Sequence, residues 1–296
     1  MPPRTPHPLL GVLFLVLACA CFAILDSTFK YLSNSVPVLV AVWFRYVFQA
    51  VATPAVALPL RGLQLLRTAS PGLQLLRGLL LMVVSVLGVV SLKLMPLADF
   101  TSLVMLTPLV ITLLAALFLR ERVNLLRWLL VLGGFSGAML VVHPTSNPMG
   151  WTLIVPIVTV ILYATFQILT SRMARTEDPL TLHLYTGLTG AVCLSFALPF
   201  AWQPIEHGLH WWLLLLVGTL GTVGHFLLIQ AFARAPASTL APYLYSQIGF
   251  ATLIGWWVFE QVPTPQSQAG IALIVVCGAL AAWLAARGPT PGVAAP

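Results

Sequence analysis

Long apolar stretches alternate with short polar breaks along the whole chain, and no segment has the composition of a soluble domain. The ten apolar runs lie at 9–32, 36–60, 71–92, 96–119, 125–142, 150–171, 180–201, 209–233, 238–259 and 267–286. Each is about the length that an α-helix needs to span a bilayer. Only 7% of the 296 residues are charged, against about a quarter in soluble domains. The pattern predicts a polytopic helical membrane protein, because barrel strands would alternate apolar and polar residues.

Basic residues are concentrated in every second break. The N-terminus, the even-numbered breaks and the C-terminal end carry Arg4, Arg61, Arg67, Arg77, Arg120, Arg122, Arg127, Arg172, Arg175, Arg234 and Arg287, whereas the odd-numbered breaks carry Lys30 and Lys93. This asymmetry predicts an even number of spans with both termini in the cytoplasm. The net charge of +7 is therefore a topology signal, and we expect no nucleic-acid partner, since the basic residues do not share one soluble surface.

The two halves of the chain contain similar segments in the same order. Leu94–Ala98 matches Arg234–Ser238, Phe118–Glu121 matches Trp257–Glu260, Ser136–Ala138 matches Cys277–Ala279, and Thr28–Leu32 matches Thr165–Leu169, at offsets of 137 to 141 residues. Five spans in each half is an odd number, so the second half enters the membrane from the opposite side. We expect two inverted five-helix repeats, at 1–143 and 144–287, followed by a disordered tail at 288–296.

With these features the chain resembles the EamA-type transporters of the drug/metabolite transporter superfamily. The resemblance rests on the ten spans, the proline that opens spans 4 and 9 (Pro96 and Pro236), and the glutamate that closes them (Glu121 and Glu260). In carrying Asp26, Lys30 and Arg45 the chain resembles the subgroup that takes up riboflavin and S-adenosylmethionine. The resemblance implies a bacterial inner-membrane carrier with a cavity lined by spans 1–4 and 6–9. Spans 5 and 10 would pack outside, where a homodimer would form its contact.

Ionisable residues deep in an apolar helix are costly and are candidates for function. Asp26 and Lys30 are one helical turn apart on span 1. Asp26 and Arg45 lie at similar distances from the turn between spans 1 and 2, so a direct contact between them is expected. Two interpretations stay open at this point: an ion pair that joins the two helices, or a site for a substrate or coupling ion. Asp99, early in span 4, either caps its helix or contacts substrate.

Neutral polar and aromatic residues at mid-membrane depth complete the candidate binding site. They are Trp43, Gln49, Tyr163, Gln167, His225, Tyr243 and Gln247. His225 is either a proton relay or a packed histidine, and Trp43 offers a ring for a planar substrate. Tyr243 and Tyr245 are two residues apart and cannot share one helical face.

Two further expectations concern charges near the arginine-rich breaks. Arg77 lies one and a half turns into span 3, and we expect its side chain to snorkel to the membrane surface. Glu121 and Glu260 end their helices, where an acid is unfavourable. We therefore expect a fixed basic partner for Glu121, with Arg120, Arg122 or Arg127 as candidates.

Alternative functions are a metabolite exporter of the same fold, a channel, or an intramembrane serine protease. The protease hypothesis rests on Ser136 within Gly134–Gly137, with His225 as its base. Against it, the small residues around Ser136 are typical of a close-packing helix face. A nucleotide-binding loop is missing from the sequence, and no cofactor or metal is expected. The sequence favours a secondary transporter for a small polar or zwitterionic metabolite, of the riboflavin, S-adenosylmethionine or amino-acid type.

Overall fold

The computed structural model describes residues 7–32, 35–94, 103–121, 123–142, 153–205, 207–259 and 264–287. Every regular element within these ranges is helical. The ten main helices are α1 (Pro8–Leu32), α2 (Val38–Arg61), α3 (Pro71–Leu94), α4 (Thr107–Phe118), α5 (Leu125–Val142), α6 (Ile154–Met173), α7 (Pro179–Ala197), α8 (Gly208–Phe232), α9 (Ser246–Phe259) and α10 (Pro265–Arg287). The predicted all-helical class is confirmed. The predicted tail at 288–296, Asp99 and Glu260 lie outside the described residues.

Local sequence explains where several helices begin and end. α3, α7 and α10 each start at a proline, which suits the first helical position because its missing N–H would have no partner there. Asp178 caps α7, accepting a hydrogen bond from the Leu180 N–H at 3.1 Å. Gly62 follows α2 with a φ of +55°, a conformation that favours glycine.

Six helices within the described ranges are long and apolar enough to cross a membrane: α1, α2, α3, α6, α7 and α8. α4, α5 and α10 contain shorter apolar segments. α9 has 14 residues and is preceded by a helical turn, Ala237–Leu240, and a 3-10 turn, Ala241–Tyr245. The chain is thus a multi-pass membrane protein.

The loops that follow α2, α4, α6 and α8 meet on one side of the molecule, which we call the basic face. Glu177 accepts hydrogen bonds there from Thr68 Oγ1 at 3.0 Å and the Ala69 N–H at 3.1 Å. Arg61 pairs with Asp178 at 3.6 Å. These contacts join the loop after α2 to the loop after α6. On the opposite face, Trp43 near the start of α2 donates to Ser195 near the end of α7 at 2.8 Å.

The helix contacts are nearly unchanged when each helix of the first half is exchanged for its equivalent in the second, from α1 for α6 to α5 for α10. We call this the exchange pattern. The contacts of α1 with α8, α2 with α8 and α1 with α9 have counterparts in those of α6 with α3, α7 with α3 and α6 with α4. The remaining extensive contacts are those of α2 with α7 and α5 with α10. Each joins two equivalent helices and is therefore its own counterpart. The helix packing is therefore close to symmetric between the two halves.

α5 and α10 approach each other closely at a pair of glycines. A Cβ atom on Gly137 would lie 2.7 Å from the Gly270 carbonyl oxygen, and one on Gly270 would lie 2.5 Å from that of Gly137. The predicted close-packing role of the small residues in span 5 is confirmed at Gly137, because glycine alone leaves room for this approach.

Candidate functional site

Asp26 on α1 faces polar groups from other helices. Its Oδ2 atom accepts a hydrogen bond from Gln247 Nε2 on α9 at 2.8 Å. The carboxylate is also near enough to Arg45 of α2 and Tyr163 of α6 to interact with them electrostatically. Asp26 nevertheless retains an exposed surface. An exposed acid beside polar groups of three other helices is accessible to a solute.

Arg45 lies inside the helix bundle, and two of its donor nitrogens have no hydrogen-bond partner in the protein. Its side chain crosses α8 at Gly221, where an added Cβ would lie 2.6 Å from the guanidinium Nε. The residue is only 5% exposed, and its Nε and one terminal nitrogen have no hydrogen-bond partner in the protein. Buried donors of a charged group are costly when unpaired. Arg45 is therefore placed to receive an oxygen acceptor from a solute.

The predicted direct contact between Asp26 and Arg45 is wrong. The two residues interact electrostatically, but the ion pairs within 4.0 Å among the described residues join Arg61 to Asp178 and Arg175 to Glu121. The reason is that Arg45 turns toward α8 at Gly221, while the carboxylate of Asp26 is held by Gln247. Equal depth on adjacent helices did not determine which way the two side chains point.

Aromatic rings line the space beside these polar groups. The rings of Tyr163 and Phe166 are parallel within 7°, with centroids 6.2 Å apart. The His225 ring lies 4.9 Å from Phe22 and 6.3 Å from Phe166. Phe22 and Phe166 were not predicted from the sequence, although their spacing was informative. Phe22 lies four residues before Asp26, and Phe166 lies three after Tyr163, which places each pair on one helical face.

We call this group the central site. It comprises Phe22, Asp26, Arg45, Tyr163, Phe166, His225 and Gln247. Its residues come from α1 and α2 in the first half and from α6, α8 and α9 in the second. Of the predicted site residues it brings together Asp26, Arg45, Tyr163, His225 and Gln247.

Other predicted site residues point elsewhere. The ring nitrogen of Trp43 is held by Ser195 of α7. Gln49 donates to the His183 carbonyl of α7 at 2.8 Å. The ring of Tyr243 lies beside Gly278 of α10, where an added Cβ would be 3.9 Å away.

Three predicted residues have special positions. Gln167 is 1% exposed, and neither of its amide atoms has a protein partner. It follows Phe166 directly and belongs to a second group of buried polar side chains, on α3, α6 and α7. Asp99 and the side chain of Lys30 lie outside what the structure describes.

Comparison with known proteins places the chain in a family. The model of the EamA-like transporter family matches residues 9–143 and again 150–283. The chain belongs to the EamA-like transporter family. A riboflavin transporter of Rhizobium johnstonii is 31% identical over 274 residues, covering 90% of this chain and 88% of that protein. An S-adenosylmethionine uptake transporter of Rickettsia prowazekii is 26% identical over 269 residues, covering 90% of both proteins.

Two more matches broaden the comparison. The pseudopaline exporter CntI of Pseudomonas aeruginosa is 29% identical over 272 residues, covering 90% of this chain and 93% of that protein. A protein of known crystal structure superposes with a TM-score of 0.79 at 20% identity, covering 95% of this chain and 97% of its own. That likeness concerns the fold alone. The predicted resemblance to EamA-type transporters is confirmed, and the family is one of membrane transporters.

Arg77 departs from the expectation for this EamA-like chain. The predicted snorkelling to the membrane surface is wrong, because Arg77 is fully buried. Its guanidinium donates to Thr170 Oγ1 of α6 at 3.3 Å, to Thr186 Oγ1 of α7 at 2.5 Å and to the Leu182 carbonyl. Neutral acceptors on two helices thus hold the charge inside the protein.

The proposed protease pair is not assembled. Ser136 donates to the Leu132 carbonyl of its own helix at 3.0 Å. His225 lies on α8 between Phe22 and Phe166. Because nucleophile and base must be within hydrogen-bonding distance, the described contacts of Ser136 and His225 do not support the protease hypothesis. The related proteins above are named as transporters.

Glu121 has a fixed partner, but not one of the predicted arginines. Its Oε1 atom lies 2.8 Å from Arg175, in the loop after α6. Its Oε2 atom accepts from the Ser238 N–H at 3.0 Å and hydroxyl at 2.7 Å. One carboxylate therefore joins three loops of the basic face.

We expect Glu121→Gln to lower the stability of the purified protein by about 1 kcal/mol, since Arg175 is partly solvated and its pairing is screened. This corresponds to a melting temperature lower by about 2–4 °C in a detergent thermal-shift assay. Arg175→Gln should give a similar loss, and the double variant should lose little more. Strictly additive losses would show that the two residues do not act as a pair.

Proposed function

We propose that this EamA-like protein is a secondary transporter that carries a planar, polar metabolite across the membrane by alternating access. The observation that carries this proposal is the central site itself. It combines a buried arginine with free donors, an exposed acid and an aromatic wall, and it lies between helices of both halves. Such a combination of apolar surface and a few directed polar groups is typical of small-molecule sites.

The exchange pattern of helix contacts supports two inverted five-helix repeats. In such a pair the halves can exchange conformations, and a site between them is then exposed to either side in turn. The positive-inside rule favours the basic face as the cytoplasmic one, with both termini on that side. Residues 1–143 and 144–287 are the two repeats in this proposal.

The charge of the described membrane helices favours a neutral or acidic substrate over a cation. Arg45 in the central site and Arg77 nearer the basic face contribute two buried positive charges, and Asp26 contributes one negative charge. Riboflavin is uncharged, planar and carries carbonyl oxygens on its ring edge, which suit the free donors of Arg45. S-adenosylmethionine carries a net positive charge. We therefore infer that the substrate is a planar heteroaromatic metabolite of the riboflavin type.

Uptake into proteoliposomes tests this inference directly. Purified protein should take up riboflavin faster than liposomes without protein, and unlabelled S-adenosylmethionine in excess should not compete. Lumichrome, which lacks the ribityl chain, should compete because it keeps the ring edge. Competition by S-adenosylmethionine alone would reverse the substrate assignment, and transport of neither compound would refute both.

The exporter hypothesis is favoured by one specific observation, the 29% identity to a pseudopaline exporter. Direction can be separated from substrate by comparing membrane vesicles of opposite orientation under the same proton gradient. We expect accumulation when the face opposite the basic face receives the substrate. Accumulation only in inverted vesicles would assign export.

Tyr163 should contribute binding rather than turnover. Its ring stacks on Phe166 and is only partly buried, so one side remains available for a planar ligand. We expect Tyr163→Ala to raise KM about tenfold, equal to the roughly 1.4 kcal/mol of one stacked ring. Tyr163→Phe keeps the ring and should stay within twofold of the unaltered protein. Equal KM values for both variants would remove Tyr163 from the binding surface.

A further inference from the structure

A second group of buried polar side chains lies between the central site and the basic face. We call it the polar column: Gln74, Arg77, Gln167, Thr170, Ser171 and Thr186. Gln74 and Arg77 share one face of α3, whereas Gln167, Thr170 and Ser171 share one face of α6. α3 packs along both α6 and α7. The residues lie within about two helical turns of the ends of α3 and α6 at the basic face.

The column contains polar atoms that the protein leaves without partners. They are Gln74 Oε1, Arg77 Nε, both amide atoms of Gln167 and Ser171 Oγ. All four residues are at most 1% exposed. Each unpaired buried atom is energetically costly unless water or a solute reaches it. Polar groups at membrane depth are otherwise tolerated where they line an aqueous path.

The column is continuous with the central site at one end and with the basic face at the other. Gln167 directly follows Phe166, whose ring lies 5.7 Å from the Arg77 guanidinium. At the other end, Gln74 Nε2 donates to Thr68 Oγ1 at 3.3 Å, and Thr68 belongs to the loop held by Glu177. Buried polar groups therefore occur on α3 and α6 all the way between the aromatic wall and the loops.

The two buried arginines occupy equivalent interfaces. Arg45 lies between α2 and α8, and Arg77 lies between α3 and α7, and these two helix pairs exchange with each other in the packing pattern. Arg45 is seven residues from the start of α2 at the opposite face, and Arg77 is six residues from the start of α3 at the basic face. Each is thus about 10 Å from its own side of the bundle. Arg45 has two donor nitrogens without a partner, whereas Arg77 has one and is held by three acceptors.

We propose that the polar column is the basic-face half of the transport path and that Arg77 is a second ligand station within it. This rests on the proposed function. Arg77 takes the same kind of group as Arg45, a carbonyl or carboxylate oxygen, since a guanidinium offers donors only. When the bundle opens toward the basic face, Arg77 leaves its neutral acceptors and receives the oxygen that Arg45 releases.

Thiol accessibility tests the path without any need for a known substrate. Ser171→Cys is nearly isosteric and lies in the column, two residues before the end of α6. Ile229→Cys lies three residues before the end of α8, is equally buried at 2% exposure and packs in apolar surroundings. A membrane-impermeant thiol reagent is added at the basic face. We expect Ser171→Cys to react at least tenfold faster than Ile229→Cys, whereas equal rates would overturn the path.

Transport from each face tests the station. We expect Arg77→Gln to raise KM at least tenfold when substrate is presented at the basic face, and less than twofold at the opposite face. A purely structural role would lower the melting temperature and change both KM values alike, which would overturn the station. If Arg77→Gln fails to fold, the Ser171→Cys rate decides. A reactive Ser171→Cys in a protein that carries no tested solute would refute the proposed substrate and keep the path.

Discussion

Arg45→Ala is expected to reduce kcat/KM for the transported solute by about one hundredfold. The reason is that Arg45 is the buried cation of the central site whose donors are free for a ligand. Hydrogen bonds to a charged group contribute about 1.5–3 kcal/mol, and 2.7 kcal/mol corresponds to about one hundredfold. The measurement is initial uptake into proteoliposomes, with equal amounts of reconstituted protein.

Arg45→Lys separates charge from geometry. It keeps the positive charge but loses the planar arrangement of donors, and we expect it to recover only part of the activity. Arg61→Ala is the matched control, because Arg61 lies on the same helix and is exposed at the basic face. It should retain nearly full transport. If Arg45→Ala transported normally with an unchanged melting temperature, Arg45 would have no part in binding.

Gly137→Ala is expected to destabilise the protein strongly for a change of one methyl group. The new Cβ would lie 2.7 Å from the Gly270 carbonyl oxygen. Backbone atoms cannot rotate away as side chains do, so α5 and α10 must separate. Overpacking of this kind costs about 1–3 kcal/mol, which corresponds to a melting temperature lower by about 2–12 °C.

Gly249→Ala serves as the matched control for that experiment. Gly249 is also a helical glycine, in α9, but an added Cβ would meet no atom within 4 Å. Alanine favours helix over glycine by about 1 kcal/mol, so this variant should melt at the same or a slightly higher temperature. Equal losses in the two variants would mean that helix packing at Gly137 is not the cause.

The membrane class, the helical content and the family were predictable, because each depends on features that repeat along the chain. Ten apolar runs with proline-rich breaks leave few alternatives for a backbone in lipid. The alternation of arginines gave the sidedness of the loops. The loops formed by the even-numbered breaks meet at one face, as the contacts of Glu121 and Glu177 show.

The central site was predictable only in part. Asp26, Arg45, Tyr163, His225 and Gln247 were found because polar groups in an apolar helix are unusual. Phe22 and Phe166 were missed because aromatic rings are common in such helices, and only their three- and four-residue spacing from polar neighbours distinguished them. Gln49 was included as a polar group and Trp43 as a ring for a planar substrate, yet their side chains turn toward α7.

His183 and Arg77 show the limit of this approach. His183 was not predicted to matter, and it joins three helices through Thr53 at 2.8 Å and the Thr222 carbonyl at 2.9 Å. Arg77 lies where a long side chain ordinarily reaches the membrane surface, and it points inward instead. Arg77 finds an acceptor on a helix more than ninety residues away along the chain. The acceptor of His183 lies on another helix that only the folded bundle brings beside it.

The sequence by itself determined the number of apolar segments, the side on which the arginines lie and the membership of a transporter family. The first two follow from composition and periodicity, which act locally on each helix, and the third from residues shared with the family, such as Pro96 and Pro236. The tertiary structure alone decided that Asp26 binds Gln247 rather than Arg45, that Glu121 binds Arg175, and that Arg77 is buried. The physical reason is that a side chain's partner depends on the rotation and approach of neighbouring helices, and glycines such as Gly221 set that approach.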